Sequence, residues 1–194
     1  MVEDGRLEDT SSKRPRLTAP DVTVVATGGT IDKAYPRLTK GWAFEIADPA
    51  APRIFERVTP PEFTFSVKPV CAKDSQEITD SDREAMLQAC VSAESKWLIL
   101  THGTDTMVET ARYLGKEHVA KMPGKTVCIT GAMRPERMVD TDAHFNLGVV
   151  LGALNMAAPG VYLCMGGKVH TWDAVERDLT SGRFVTTRPP SSST

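Results

Sequence analysis

Residues 22–32 read Val-Thr-Val-Val-Ala-Thr-Gly-Gly-Thr-Ile-Asp, and this stretch decides the fold. Val22 to Ala26 is an apolar, largely β-branched run that stops at Gly28-Gly29. A short run of this kind, bounded by glycine, reads as a buried strand. Similar short runs follow at Phe63 to Val70, Trp97 to Leu100, Thr126 to Ile129 and Val161 to Met165. Helical segments separate them. Thr79-Asp80-Ser81-Asp82 is a helix start, with a capping side chain and acids in the first turn. Its helix is expected to reach about Glu94, with Ala85, Met86, Ala89 and Cys90 on one face. Met107 to about Lys116 is a second helix. A third, from about Asp142 to Met156, is apolar on most sides and central. Strand and helix in alternation predict an α/β fold: a doubly wound, mostly parallel sheet flanked by helices.

The 194 residues hold one folded body. Residues 1–20 are polar, are punctuated by Pro15 and Pro20, and are expected to be a disordered tail. Ser11 to Arg16 is a short basic cluster, more in keeping with a solvated tail than with a nuclear address. Residues 186–194 are rich in Pro, Ser and Thr and are expected to be a second tail. Residues 21–185 remain as a single domain. Lys plus Arg is 23 and Asp plus Glu is 25, a net charge of −2. So balanced a chain has no electrostatic pull toward nucleic acid or an anionic membrane. The most apolar stretch, Phe145 to Met165, is broken by Asn146, Asn155 and Pro159 and does not make a membrane span of about 20 residues. The opening MVEDGRLEDT lacks the apolar core of a secretory signal, so a cytoplasmic location is expected. Cys71, Cys90, Cys128 and Cys164 are far apart and form no C-x-x-C pair. Reduced thiols are expected, ahead of disulfides or a metal site.

In an open parallel sheet, ligands bind beyond the carboxyl ends of the strands. Four loops are expected to meet there: Thr27 to Asp32, Ala72 to Glu77, Thr101 to Thr106 and Thr130 to Pro135. They set glycines beside hydroxyls, with acids close by. Glycine lets backbone N–H groups approach a ligand. Hydroxyls and backbone donors suit a carboxylate or a developing oxyanion, and an Asp suits an ammonium. Taken singly, each loop has a plainer reading. Thr27 to Thr30 lacks the patterns of a nucleotide-phosphate loop, and a structural turn is its default. Thr104, Asp105 and Thr106 are each as well explained as caps of the next helix. Four such loops in register are less easily explained by capping.

Thr27-Gly28-Gly29-Thr30-Ile31 and Thr101-His102-Gly103-Thr104-Asp105-Thr106-Met107 resemble the two signature motifs of the bacterial-type L-asparaginase family. Thr130 to Pro135 and Phe145-Asn146 resemble two further landmarks, and Asp74-Ser75-Gln76 the substrate loop. The resemblance covers Asp21 to about Arg183. It implies an amidohydrolase that converts L-asparagine and water to L-aspartate and ammonia, without cofactor or metal, through a threonine acyl-enzyme. Carried over by motif, Thr30 is the nucleophile. Tyr35 matches, less firmly, a tyrosine that helps activate it. Thr104 is the second catalytic threonine, and Asp105 its acidic partner and the holder of the substrate ammonium. Ser75 and Gln76 grip the α-carboxylate and α-amino groups. Gly29 and Gly103 bring backbone donors to the substrate, and the Ala132 carbonyl faces the substrate amide. His102 is read as a packed imidazole.

Two departures from the family pattern stand out. The family has a lysine beside the second threonine, and alignment past Met165 puts Arg177 there, on what reads as a last helical segment. Arginine keeps its charge where lysine can shed a proton. The chain also resembles only the larger of the family's two domains, and is most like its short, single-domain members. A second subunit is then expected to supply the missing pocket wall, so a homo-oligomer is expected. The alternatives kept open are glutamine or another amide as substrate, and a degenerate member that binds an amino acid or a protein without turnover.

Overall fold

Val22–Gly28 forms β1, buried along all seven residues. The computed structural model describes residues 20–35 and 44–187. After β1 come β2 (Lys33–Ala34), β3 (Glu45–Ile46), α1 (Ala51–Phe55), β4 (Phe65–Lys73) and α2 (Asp80–Val91). β5 (Trp97–Thr101), α3 (Met107–Lys121), β6 (Thr126–Thr130), α4 (Ala143–Met156) and β7 (Gly160–Met165) continue the alternation. β8 (Lys168–Thr171), β9 (Val175–Arg177) and β10 (Phe184–Thr186) follow.

The main sheet has the order β4-β1-β5-β6-β7-β8. Every pair in it is parallel except β7 with β8. Numbered along the chain, its parallel strands run 2-1-3-4-5. The direction of winding therefore reverses between β1 and β5, which opens a crevice at their carboxyl ends. Successive side chains of a strand point to opposite faces. Val25, Leu98, Leu100, Val127, Ile129 and Leu163 pack with residues of α2 and α3. Val22, Val24, Ile99, Cys128 and Cys164 pack with residues of α1 and α4. Both faces are covered, which is why the central strands read as unbroken apolar runs.

The predicted doubly wound sheet is the observed one. Thr79 caps α2, its hydroxyl accepting the Asp82 N–H while the Asp82 carboxylate accepts the Thr79 N–H. The boundaries differ in places. α2 ends at Val91 and α3 continues to Lys121. β4 is shifted to Phe65–Lys73 and is partly exposed, as suits an edge strand. The stretch past Met165 is not helical. Gly166 and Gly167 take φ of 59° and 82° and turn the chain back as β8. β9 and β10 then pair antiparallel, with Arg177 opposite Phe184.

The tail boundaries also move. The Pro20 carbonyl accepts the Ser95 hydroxyl at 2.7 Å, and Thr186 belongs to β10. Thr187 donates its N–H to the Ala174 carbonyl at 2.9 Å, and residues 1–19 and 188–194, with the Ser11 to Arg16 cluster, lie outside the described residues. All four cysteines are free, and three of them are buried. Among the described residues no helix is long and apolar enough to cross a membrane.

Candidate active site

Three loops converge on the crevice between β1 and β5. They line a pocket of about 220 Å³ with Thr30 and Lys33 from the first, Asp74, Ser75 and Gln76 from the second, and Gly103, Thr104 and Asp105 from the third. Thr30 opens a single 3-10 turn, Thr30–Asp32, directly after β1. Ser75–Glu77 is a matching 3-10 turn after β4.

The loops nest backbone to backbone, and two glycines allow it. Gly29 has φ of 78°, and a Cβ there would lie 2.4 Å from the Gly103 nitrogen. A Cβ on Gly103 would lie 2.7 Å from Ser75 Cβ and 2.8 Å from its hydroxyl. A side chain at either position would wedge the loops apart. Gly103→Ala is therefore expected to displace Ser75, raising the KM for a substrate bound there at least about tenfold and lowering stability by about 1–3 kcal/mol. Steady-state kinetics and thermal unfolding measure the two effects.

Polar contacts lock the second and third loops together. The Ser75 hydroxyl accepts the Asp105 N–H at 3.1 Å, and the Thr106 hydroxyl donates to the Ser75 carbonyl at 2.6 Å. The Ser75 hydroxyl keeps its own proton to offer to a ligand. Both carboxylate oxygens of Asp105 are engaged: Gln76 Nε2 donates to Oδ2 at 2.9 Å, and Arg177 Nη1 to Oδ1 at 2.5 Å. The Arg177 guanidinium, and after it Gln76, holds the Asp105 carboxyl below the ordinary carboxylate range. Lys33 Nζ pairs with Asp74 Oδ1 at 2.8 Å across the first and second loops. Among the described residues, neither the Thr30 nor the Thr104 hydroxyl has a hydrogen-bond partner.

His102 is fully buried. Its Nδ1 contacts the Gly103 carbonyl at 2.7 Å, and its Nε2 the Thr110 hydroxyl at 2.9 Å. A carbonyl only accepts, so Nδ1 carries the proton. Burial pulls the ring down to about 4, which leaves it neutral near pH 7.

Seven of the ten residues named from the sequence are thus close together: Thr30, Thr104, Asp105, Ser75, Gln76 and Gly103 line the pocket, and Gly29 lies under it. Arg177 reaches the group from β9 through Asp105, and its guanidinium carbon lies 5.9 Å over the Phe184 ring. The other two stand apart. Tyr35 is 48% exposed and packs edge-on against Phe44, in a neighbouring cleft with Arg137 and Met138. Ala132 is buried in the layer formed with residues of α1 and α4, outside the pocket lining. The fourth loop is a support. Asn146 Nδ2 donates to the Gly131 carbonyl at 3.0 Å, and its Oδ1 accepts the Gly166 N–H at 3.1 Å, which ties together the chain beyond β6 and β7.

Asp74 stands where the substrate loop was expected, though without a role of its own, whereas Lys33 was not anticipated at the pocket. The signal for Lys33 in the sequence was position alone, since it directly follows the turn that Thr30 opens.

A crevice at the switch point of a doubly wound sheet, lined by hydroxyls and two charge-paired carboxylates, suits acyl transfer on a small polar molecule. Residues 21–185 match the family described as Asparaginase, N-terminal, and the chain belongs to that family. It is 28% identical over 171 residues to a glutaminase-asparaginase of Acinetobacter glutaminasificans, covering 84% of this chain and 50% of that protein. It is 30% identical over 160 residues to L-asparaginase 2 of Escherichia coli strain K12, covering 79% and 45% respectively. The fold superposes on the thermostable L-asparaginase from Thermococcus kodakarensis with a TM-score of 0.71 at 22% identity, covering 85% of this chain and 50% of that one. The chain spans about half the length of the curated relatives it matches.

Proposed function

We propose that this chain carries the catalytic face of an amidohydrolase acting on L-asparagine. The observation that carries the reading is the single pocket that gathers Thr30, Thr104, Asp105, Ser75 and Gln76 from three loops. The α-carboxylate of the substrate takes the Ser75 hydroxyl proton, and the α-ammonium sits against Asp105 and Gln76. The side-chain amide then lies between the two threonines.

Thr30 Oγ1 attacks the amide carbon, and its proton passes to the departing nitrogen. The C–N bond breaks, ammonia leaves, and an ester joins Thr30 to the aspartyl group. Water attacks the ester carbon, its proton returns to Thr30 Oγ1, and aspartate is released. Backbone N–H groups of the glycine-rich turn stabilise the oxyanion in both steps. Tyr35 serves this scheme only if it swings in from its cleft, whereas Thr104 already stands in the pocket as the proton carrier. A homo-oligomer in the cytoplasm is part of the proposal, with a second subunit covering the pocket.

Glutamine is the second reading, favoured by the glutaminase-asparaginase among the relatives. Ammonia release from the purified chain, measured with each amide over a wide concentration range, separates the two. Asparagine is expected to have the higher kcat/KM by at least about tenfold, the worth of one mismatched methylene in a snug site. Equal values, or no ammonia from either amide, overturn the assignment.

A further inference from the structure

The Thr30 turn is tethered on all sides. The Gly29 N–H donates to the Lys73 carbonyl at 3.0 Å, the Glu136 N–H to the Ile31 carbonyl at 3.2 Å, and the Ala47 N–H to the Asp32 carbonyl at 2.9 Å. These three are backbone bonds. One side chain joins them: Asp32 Oδ1 accepts the Ala50 N–H at 2.7 Å. Asp32 stands two residues from Thr30 and is 2% exposed, and Ala50 and Ala51 beside it are fully buried. Among the described residues no cation forms an ion pair with it. Arg53 and Glu136 are the charged groups that act on it from a distance, and they oppose each other. Arg53 is itself bonded to Glu136, at 2.9 Å.

A buried carboxyl without a cationic partner is costly, and a fold keeps one only where it does something an apolar residue cannot. Resting on the amidohydrolase reading of the pocket, we propose that Asp32 is the positioning residue of the nucleophile turn. Its carboxylate clamps the turn to the entry of α1 and sets where the Thr30 hydroxyl stands. Asp32 touches no substrate and acts only through the backbone it holds. Desolvation raises its carboxyl to about 7, against the Ala50 N–H, Arg53 and the Gly28 N–H, with Glu136 adding to the rise. Proton uptake near neutral pH weakens the clamp, because hydrogen bonds to a charged acceptor are roughly twice as strong as neutral ones.

Two variants and one resonance test this. Asp32→Asn keeps an acceptor for Ala50 and does not titrate, whereas Asp32→Ala removes the acceptor. In the unmodified chain, kcat for asparagine is expected to fall as pH drops through ~7 to a plateau at least about threefold lower, with KM nearly constant. Asp32→Asn, a neutral acceptor like the protonated carboxyl, is expected to sit at that lower plateau at every pH and so to lose the acid limb. Asp32→Ala is expected to lose at least about tenfold in kcat at every pH. The carboxyl also sets a sign for stability. Its folded-state value lies above the unfolded value of about 3.9, so its contribution is full below pH ~4 and is lost as pH rises through ~7. The melting temperature of Asp32→Asn should therefore gain on the unmodified chain across that window. The Ala50 amide resonance of ¹⁵N-labelled protein needs no turnover, and it is expected to titrate with a midpoint near 7 and to be flat in Asp32→Asn. A chain without amidase activity overturns the functional reading and leaves the clamp to be judged on this resonance. An Ala50 resonance that stays fixed through neutral pH, or an acid limb that persists in Asp32→Asn, overturns the proposal.

Discussion

Thr30→Ala is expected to abolish ammonia release while leaving the fold intact. If Thr30 carries the acyl group, no other side chain replaces it, and removing one member of a cooperating set costs nearly as much as removing the set. The fall in kcat should be at least roughly 10³-fold. The Thr30 hydroxyl has no hydrogen-bond partner among the described residues, and its side chain faces the pocket lined by Thr104 and Asp105. Its loss therefore strands no buried polar group, and the melting temperature should move by no more than a few degrees. That combination distinguishes a nucleophile from a structural threonine. Mass spectrometry of the acid-quenched chain should find an aspartyl adduct in the unmodified protein and none in the variant. Full turnover by Thr30→Ala would remove Thr30 from the chemistry.

Arg177→Met is expected to be the second most damaging change. The guanidinium cannot accept a proton near neutral pH, so its contribution is a fixed charge and a directed bond to Asp105 Oδ1 at 2.5 Å. Without it, Asp105 keeps only the Gln76 amide, its carboxyl moves up toward the ordinary value of about 3.9, and its orientation loosens. A loss of about 10²–10⁴-fold in kcat/KM is expected, with the acid edge of the pH profile moving upward. Arg177→Lys keeps the charge and loses the fork, so a change within about tenfold is expected. A large gain on Arg177→Lys would show instead that this position transfers a proton. A Met variant with wild-type turnover would show that Arg177 does neither.

The parallel sheet was legible because its strands are apolar on both faces. Leu98, Ile99 and Leu100 are all fully buried, and no helix period accommodates so short and uniform a run. The edges were legible in part: Phe63 to Val70 read as a strand, but its end at Lys73 and the whole of β8 did not. β4 carries Lys68 and Pro69 in the middle of a half-exposed strand, and β8 has only His170 buried. Arg177 was placed on a helix because Val175-Glu176-Arg177-Asp178 has no strand alternation to speak of. It pairs as a strand only because Phe184 and Val185 return beside it.

The pocket divides in the same way. Its threonines, glycines and Ser75-Gln76 stand in contiguous motifs. The Asp105–Arg177 pair spans 72 residues, and no local pattern announces a partner that far off. Asp32 has the look of a surface acid beside Lys33. Only the chain folding over it, with Ala50 donating from 18 residues away, makes it a buried one.

The winding of the sheet also has a consequence in time. β1 precedes the other strands of the main sheet in the chain, yet both of its neighbours come later: β4 ends at Lys73 and β5 at Thr101. Until the chain has grown past Thr101, the strand that leads into Thr30 has one flank open, and its valines are exposed to solvent or to other nascent chains. Closure of β5 against β1 pairs β1 on both edges and brings Thr104 to Thr30 in a single event, while the cover from α3 and α4 follows later. A ribosome-bound chain arrested before Thr101 should therefore bind chaperones and hydrolyse nothing. Once β5 docks, the second edge of β1 and the neighbour of Thr30 arrive together, and Arg177 on β9 completes the group last.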